Sequence, residues 1–315
     1  MGHIDLLTPQ ADFRSDLLDG LSAAPKATSP KHLYDERGSH LFDIECEQPE
    51  YYLPDAEAQI MERHARDIAR CVHERPCIIE PGSGAAKKVR VLLDVMDVAK
   101  YIPIDISTEF LLESAADLQR DYPGVSIECI SADFTCLRRL PRQVLDDDEK
   151  GVLFFPGSTI GNFEEDEAGA LLGVFREILA PAGHLIIGVD LKKDRNVLER
   201  AYNDEAGIAA SLHRNLLERA NREAGANFDP SAFTYRAVYN AAKGRMEMYL
   251  VSRRDQEVLV DGAPVRFAEG ERWHTQSSYK YSLEQFRELA ERQGFTRVNY
   301  WTDSDDLMSV QVFRT

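Results

Sequence analysis

The sequence is short of basic residues, of paired cysteines and of long apolar runs, and each shortage removes a class of function. Lys and Arg total 37 against 54 Asp and Glu among 315 residues, a formal net charge of −17. Binding to a nucleic-acid backbone is driven by counterion release and needs a basic face, so nucleic acid is not an expected partner. No apolar stretch approaches the roughly 20 residues of a spanning helix, so no membrane partner is expected. The start, Met1 to Leu7, has neither the basic residues nor the apolar stretch of a secretory signal. Cys46, Cys71, Cys77, Cys129 and Cys136 form no Cys-x-x-Cys pair, and no His stands at zinc-ligand spacing from them. This predicts free thiols in a reducing, cytoplasmic compartment and no bound metal. Internal repeats and low-complexity linkers are missing too. The charge run Asp146-Asp147-Asp148-Glu149-Lys150 reads as a solvated loop ahead of a strand.

What is present is an alternation. Hydrophobic residues make up 43% of the chain, enough for a substantial core. Glu57 to Val72 has helical composition, and Cys77-Ile78-Ile79-Glu80 predicts a strand. Lys87 to Val98 predicts a helix with Val89, Leu92, Leu93 and Met96 on one face. Further strands are expected at Tyr101 to Asp105, Val125 to Ile130, Gly151 to Phe155 and His184 to Asp190, with helices at Thr108 to Asp121 and Asp166 to Leu179. Strands apolar throughout belong in a parallel sheet covered on both faces. Right-handed crossovers then give an α/β, Rossmann-like, doubly wound sheet. The alternation stops after Asp190. Residues 194–232 read as polar helix and 234–273 as antiparallel strands, among them Arg245 to Val251 and Glu257 to Val260. Leu283 to Gln293 and strands around Val298 and Val310 then rejoin the sheet. The expected organisation is a nucleotide-type domain of residues 61–193 and 283–315, with 1–60 and 194–282 forming an α+β lid.

Glu80-Pro81-Gly82-Ser83-Gly84 falls at the end of the first apolar strand. Glycines there let a ligand approach the backbone. A dinucleotide fingerprint would place a third glycine at position 87, where this chain has Lys87, which counts against a nicotinamide-dependent oxidoreductase. Asp105 ends the next strand, about 20 residues on, where a carboxylate accepts hydrogen bonds from ribose hydroxyls. Ala132-Asp133-Phe134 follows the strand after that, offering an acid and an aromatic beside an adenine ring. Three such features at successive strand ends predict an adenosine-containing ligand. Glu80 suits a cationic methionyl group, which favours S-adenosylmethionine over a dinucleotide.

Longer motifs carry a resemblance. They are Tyr34-Asp35-Glu36-Arg37-Gly38-Ser39-His40-Leu41-Phe42 with Pro49-Glu50-Tyr51-Tyr52, and Phe154-Phe155-Pro156-Gly157-Ser158-Thr159-Ile160-Gly161-Asn162-Phe163. Gly188-Val189-Asp190-Leu191-Lys192-Lys193-Asp194, Ala201-Tyr202-Asn203-Asp204 and Trp273-His274-Thr275-Gln276-Ser277-Ser278-Tyr279-Lys280-Tyr281 complete the set. From about residue 30 onward the chain resembles the histidine-specific Nα-methyltransferases of ergothioneine biosynthesis. The resemblance implies a class I methyltransferase sheet with an inserted substrate-binding domain, S-adenosylmethionine as co-substrate, and no metal. It implies a free amino acid as partner, L-histidine first, methylated on its α-amino group up to the trimethyl product. Gly82, Lys88, Asp105, Asp133 and Phe134, beside Glu80 and Gly84, are implied to hold the cofactor. Tyr51, Gly157, Asn162 and Tyr202 are implied to grip the acceptor's amino and carboxylate groups, with Tyr34 nearby. Met248, Gln276 and Ser278 are implied to meet its side chain.

Methyl transfer to an amine is an in-line displacement, so the nitrogen must be neutral and aligned about 3 Å from the methyl carbon. Tyr34, Tyr51 and Asn162 are the expected catalytic set. They orient the nitrogen and let its proton pass to water, so that positioning outweighs acid–base help. The match has departures. The family commonly carries Glu where Gln276 stands; Gln still accepts from a ring N–H but without the charge-assisted part, about 1 kcal/mol or more. Leu53-Pro54-Asp55 follows the tyrosine pair where the family has Thr-Arg, and the family's Asn in the helix after Asn203-Asp204 is replaced near Leu212-His213. These departures cluster around the acceptor pocket. They leave open another acceptor, such as tryptophan or tyrosine, and a protein that binds S-adenosylmethionine without catalysis. The sequence leaves the oligomeric state open, a monomer among the options.

Overall fold

A computed structural model describes residues 1–7, 13–141, 144–145 and 150–315; the acidic run Asp146 to Glu149 lies outside them. In chain order the elements begin β1 (Gly2–Asp5), α1 (Phe13–Ser22), α2 (Glu36–Cys46), α3 (Leu53–Arg70), β2 (Cys77–Pro81), α4 (Arg90–Leu93), β3 (Lys100–Asp105) and α5 (Thr108–Asp121). Then come β4 (Ser126–Ser131), β5 (Gly151–Phe155), α6 (Glu165–Leu179), β6 (His184–Asp190), α7 (Arg195–Ala201), α8 (Ile208–Glu223) and β7 (Phe233–Asn240). The last are β8 (Arg245–Ser252), β9 (Gln256–Val260), β10 (Ala263–Phe267), β11 (Arg272–Tyr279), α9 (Leu283–Arg292), β12 (Thr296–Thr302) and β13 (Met308–Arg314). They gather into two units, one of Met1–Thr8, Leu53–Leu191 and Tyr281–Thr315, the other of Pro9–Tyr52 and Lys192–Lys280.

The first unit is built on a sheet of order β1-β4-β3-β2-β5-β6-β13-β12. Pairing is parallel from β1 to β6 and antiparallel through β13 and β12. Every residue of β2 and β5 is buried, as a sheet covered on both faces requires. From β2 the chain winds outward through β3 and β4, then returns to place β5 and β6 on the other side of β2. That reversal between β2 and β5 is the topological switch point, and open α/β sheets bind ligands outside the carboxyl ends of the strands there. Reciprocal capping by Glu164 with Glu167 and by Ser282 with Gln285 starts the covering helices α6 and α9, which bury Leu172, Phe175 and Phe286. The doubly wound α/β sheet expected from the apolar runs is present.

Two local expectations change. Only Arg90–Leu93 is helical within the stretch from Lys87 to Val98. Ala86 takes a left-handed φ of 49°, and the chain leaves the glycine loop through turns. Val89 and Leu92 are fully buried all the same, so the apolar spacing marked a buried face, not a continuous helix. Gly2–Asp5 lies in the sheet unit: it pairs with β4, with Ile4 opposite Ile130. The start of α3, including Glu57, belongs to that unit too.

The second unit has a sheet of order β11-β8-β7 and the hairpin β9–β10. Asp261 and Gly262, both with positive φ, close the hairpin as its twist demands. Leu17, Leu33, Leu216, Phe233, Phe267 and Trp273 lie in its core, and the Trp273 indole N–H donates to Thr28 Oγ1 at 2.8 Å. The polar helical stretch breaks between α7 and α8. There Gly207 adopts a φ of 72° and the Asp204 carboxylate accepts from the N–H groups of Ile208 and Ala209 at 2.6 and 2.8 Å, capping α8.

Candidate active site

At the carboxyl ends of β2, β3 and β4 the expected cofactor residues come together within the first unit. The Gly82 N–H donates to the Ile104 carbonyl at 2.7 Å, and the Gly84 N–H to Asp105 Oδ2 at 3.0 Å. Asp105 Oδ1 accepts from the Ser107 N–H, so the carboxylate is locked in place while retaining lone pairs for hydroxyl donors. Gly82 has a φ of 69°, and a Cβ there would meet the Phe134 ring at 3.4 Å. Phe134 is itself held edge-on by Phe155 at 5.6 Å and Phe163 at 6.4 Å. Asp133 Oδ1 accepts from both the amide and the hydroxyl of Thr135, turning the chain after β4. A fixed carboxylate beside bare backbone, with an aromatic ring against it, is a donor–acceptor set that fits an adenosine.

Glu80 is more secluded than its place in the glycine loop suggests. It is buried and accepts a hydrogen bond from the Tyr101 hydroxyl at 2.5 Å. Burial pushes its carboxyl up to about 8, against the pull of that hydrogen bond and of Lys88.

Glu57, on α3, is a functional candidate that sequence reasoning missed. It is 3% exposed. Its Oε2 accepts from Lys88 Nζ at 2.6 Å and its Oε1 from the Gly157 N–H at 2.7 Å. The acid thereby joins a helix to the loops that follow β2 and β5. Gly157 and Ser158 both take left-handed φ values, 77° and 57°, and the Ser158 hydroxyl accepts from the Asp190 N–H. The Gly157 amide is thus committed to Glu57, and its carbonyl is the polar group left for an acceptor. Asn162 ends the short turn Thr159–Asn162 after this loop and is half-buried.

The remaining acceptor candidates lie in the second unit. Tyr34, Phe42, Tyr51 and Tyr202 form a chain of edge-on rings with centroid separations of 5.5, 6.4 and 5.7 Å. Gln276 Nε2 donates to the Tyr34 hydroxyl at 3.4 Å. Tyr202 OH and Ser278 Oγ are 2.9 Å apart, and Lys280 Nζ donates to each at 2.7 Å. Met248 is fully buried in a cluster with Met246, Tyr51 and Tyr202. Burial pushes the phenols of Tyr34 and Tyr51 upward, so both stay neutral at ordinary pH. Lys280 is a further functional candidate. It stands one residue past the end of β11 and continues the period of two that aligns Gln276 with Ser278.

Among the described residues, no helix is long and apolar enough to cross a membrane. Nor does any group of three His, Cys, Asp or Glu residues there offer a place for a metal ion.

Residues 13–315 match the family described as "Histidine-specific methyltransferase, SAM-dependent". The chain is 38% identical to the histidine N-alpha-methyltransferase of Mycolicibacterium smegmatis, over 92% of this chain and 91% of that one. It is 35% identical to the histidine N-alpha-methyltransferase of Mycobacterium tuberculosis, over 96% and 92%. With ergothioneine biosynthesis protein 1 of Neurospora crassa it shares 31% identity over 86% of its own length, spanning 31% of that larger protein.

Two outcomes follow from this geometry. A Cβ at Gly188 would lie 2.2 Å from Glu57 Oε1 and 3.1 Å from the Gly157 N. Gly188→Ala is therefore expected to destabilise the protein by about 1–3 kcal/mol in urea unfolding; an unchanged midpoint would place the Glu57 carboxylate elsewhere. Folded Glu80 keeps its proton up to about pH 8, whereas an unfolded glutamate releases it near 4.5. Its contribution to stability is full below the unfolded value and is lost as pH rises through the folded one. The Tm of Glu80→Gln relative to wild type is expected to rise between about pH 5 and 8. A flat difference would mean that this carboxyl titrates ordinarily.

Proposed function

This chain belongs to the SAM-dependent, histidine-specific methyltransferase family, and we propose that it methylates the α-amino nitrogen of free L-histidine with S-adenosylmethionine. Up to three rounds give the trimethyl betaine, hercynine, for ergothioneine biosynthesis. In this reading the first unit is the cofactor-binding domain and the second the acceptor-binding domain. The observation that carries it is the family match, which runs from residue 13 to 315 and so through both units.

S-adenosylmethionine supplies, when bound, a methyl group on a positively charged sulfur. Asp105 is assigned to the ribose hydroxyls, Phe134 and Asp133 to the adenine, and Gly82 and Gly84 to the close approach of backbone. Glu80 and the Lys88–Glu57 pair are assigned to the methionyl end. An acidic group pushed toward neutrality by burial is ionised again by a cationic neighbour, which gives Glu80 a preference for the charged donor over its neutral product.

Tyr51, Tyr202, Asn162 and the Gly157 carbonyl are assigned to the acceptor's amino and carboxylate groups, with Tyr34 completing the catalytic set. Tyr34 and Tyr51, held neutral, accept from the amine N–H groups and turn its lone pair outward; neither is a phenolate base. The amine's proton leaves to water. Lys280 fixes the hydroxyls of Tyr202 and Ser278, so its charge acts through them. Neutral partners also let a once- or twice-methylated nitrogen rotate for the next round. Met248, Gln276 and Ser278 are assigned to the side chain.

Purified protein incubated with S-adenosylmethionine and the twenty common amino acids is expected to add one, two and three methyl groups to histidine, read by mass spectrometry. A product on tryptophan or tyrosine instead would reassign the acceptor, and the absence of any product would overturn the activity. Asp105→Ala is expected to weaken S-adenosylhomocysteine binding at least about tenfold by calorimetry, as loss of charge-assisted hydrogen bonds implies. Unchanged affinity would remove Asp105 from the ribose.

A further inference from the structure

Among the described residues of the second unit three acids are buried, and two have structural partners: Asp204 caps α8 and Glu247 pairs with Arg245, which leaves Glu45 without a task. Gly38, Leu41, Phe42 and Glu45 recur at the three- and four-residue spacing that puts them on one face of α2. Apolar residues are the rule along such a stripe, yet Glu45 is 5% exposed. Among the described residues no group donates a hydrogen bond to its carboxylate. The acid whose charge bears on it, Asp204, has both oxygens engaged by the start of α8. Burial, and then the charge of Asp204, push the Glu45 carboxyl up to about 8. A buried carboxyl lacking a donor is unfavourable in itself, and it suits a ligand that brings the donor with it.

The position of Glu45 indicates which part of the ligand that is. Phe42, one turn earlier on the same face, lies edge-on to both Tyr34 and Tyr51. After burial, the charge of Glu45 is the largest influence on the phenols of Tyr34 and Tyr235, whereas at Tyr51 the neighbouring Tyr202 comes first. Tyr34 in turn accepts from Gln276. The face it shares with Phe42 sets Glu45 against the tyrosine cluster that reaches Gln276 through Tyr34, and the proposed function seats the acceptor's side chain at Gln276.

We infer that Glu45 is the acidic partner of the acceptor's ring, taking an imidazole N–H and supplying from α2 the carboxylate that position 276 lacks. The assignment rests on the reaction proposed above. Imidazole fits because it donates from one nitrogen and takes a second proton near neutrality. A proton can then sit on ring or carboxyl without changing the net charge of the pair. A phenyl ring brings no donor, and an indole brings a donor but no basic nitrogen.

The test compares full-length wild type, Glu45→Gln and Glu45→Gln/Gln276→Glu at saturating S-adenosylmethionine. Glu45→Gln is expected to lower kcat/KM for histidine about ten- to hundredfold, chiefly through KM, with S-adenosylhomocysteine affinity unchanged. Restoring a carboxylate at position 276 is expected to regain most of the loss. A measurement on wild type alone stands beside these: ring-15N histidine bound with S-adenosylhomocysteine is expected to titrate above free histidine, as a carboxylate neighbour requires. Histidine kcat/KM within about twofold of wild type in folded Glu45→Gln, or a ring pKa unchanged or lowered on binding, overturns the role of Glu45 and leaves the methyltransferase reading intact. Wild-type protein that methylates no histidine overturns both.

Discussion

The carboxylate of Glu57 is the constraint around which the carboxyl edge of the sheet is arranged. One oxygen takes the Lys88 ammonium and the other the Gly157 amide, so a side chain from α3 ties together the segments after β2 and β5. The two bonds differ in kind. The Lys88 side chain is 44% exposed, so solvent screens that ion pair and its net contribution is small. The Gly157 bond has a charged acceptor at a buried position, the class of hydrogen bond worth about 1.5–3 kcal/mol. It is the stronger restraint, and it acts on the loop that leads into Asn162. Gly188 is the necessary complement, since the carboxylate occupies the space a side chain would take.

Around the tyrosine cluster the chemistry is quieter. The phenols of Tyr34 and Tyr51 are kept neutral by burial, and Lys280 spreads its hydrogen bonds over Tyr202 and Ser278. Such an arrangement orients without clamping. It suits a displacement that disperses a positive charge already present, where alignment contributes more than proton transfer. Among the described residues the buried acids of this unit are Glu45 on the Phe42 face of α2, Asp204 at the start of α8, and Glu247, which pairs with Arg245.

The sheet and half of the site were legible because their signals are local. Apolar runs such as Gly151 to Phe155 can only be strands buried on both faces, and Glu80, Asp105 and Asp133 announce themselves by ending such runs. Glu57 and Glu45 announce nothing. Each looks like a solvated helix residue until its neighbours along the helix are seen to be buried, and Glu57 finds Gly157 100 residues away. Lys280, one residue past β11, is legible only as the continuation of the period that aligns Gln276 and Ser278. The failed helix from Lys87 to Val98 has a similar cause: turns and helices can bury the same apolar positions, and only the left-handed Ala86 separates them. The strand Gly2–Asp5 is hard to read from sequence because four residues of alternating burial carry too little pattern.

That small strand has a colloidal consequence. Without it β4 would end the sheet and offer a full row of open amides and carbonyls to any passing extended chain. Gly2–Asp5 covers that flank and shifts the rim to a segment only four residues long, with His3 bonded inward to Ser131 and Asp5 folding back on the Leu7 amide. So short and polar a rim is a poor template for intermolecular pairing, which protects the sheet on that side from self-association.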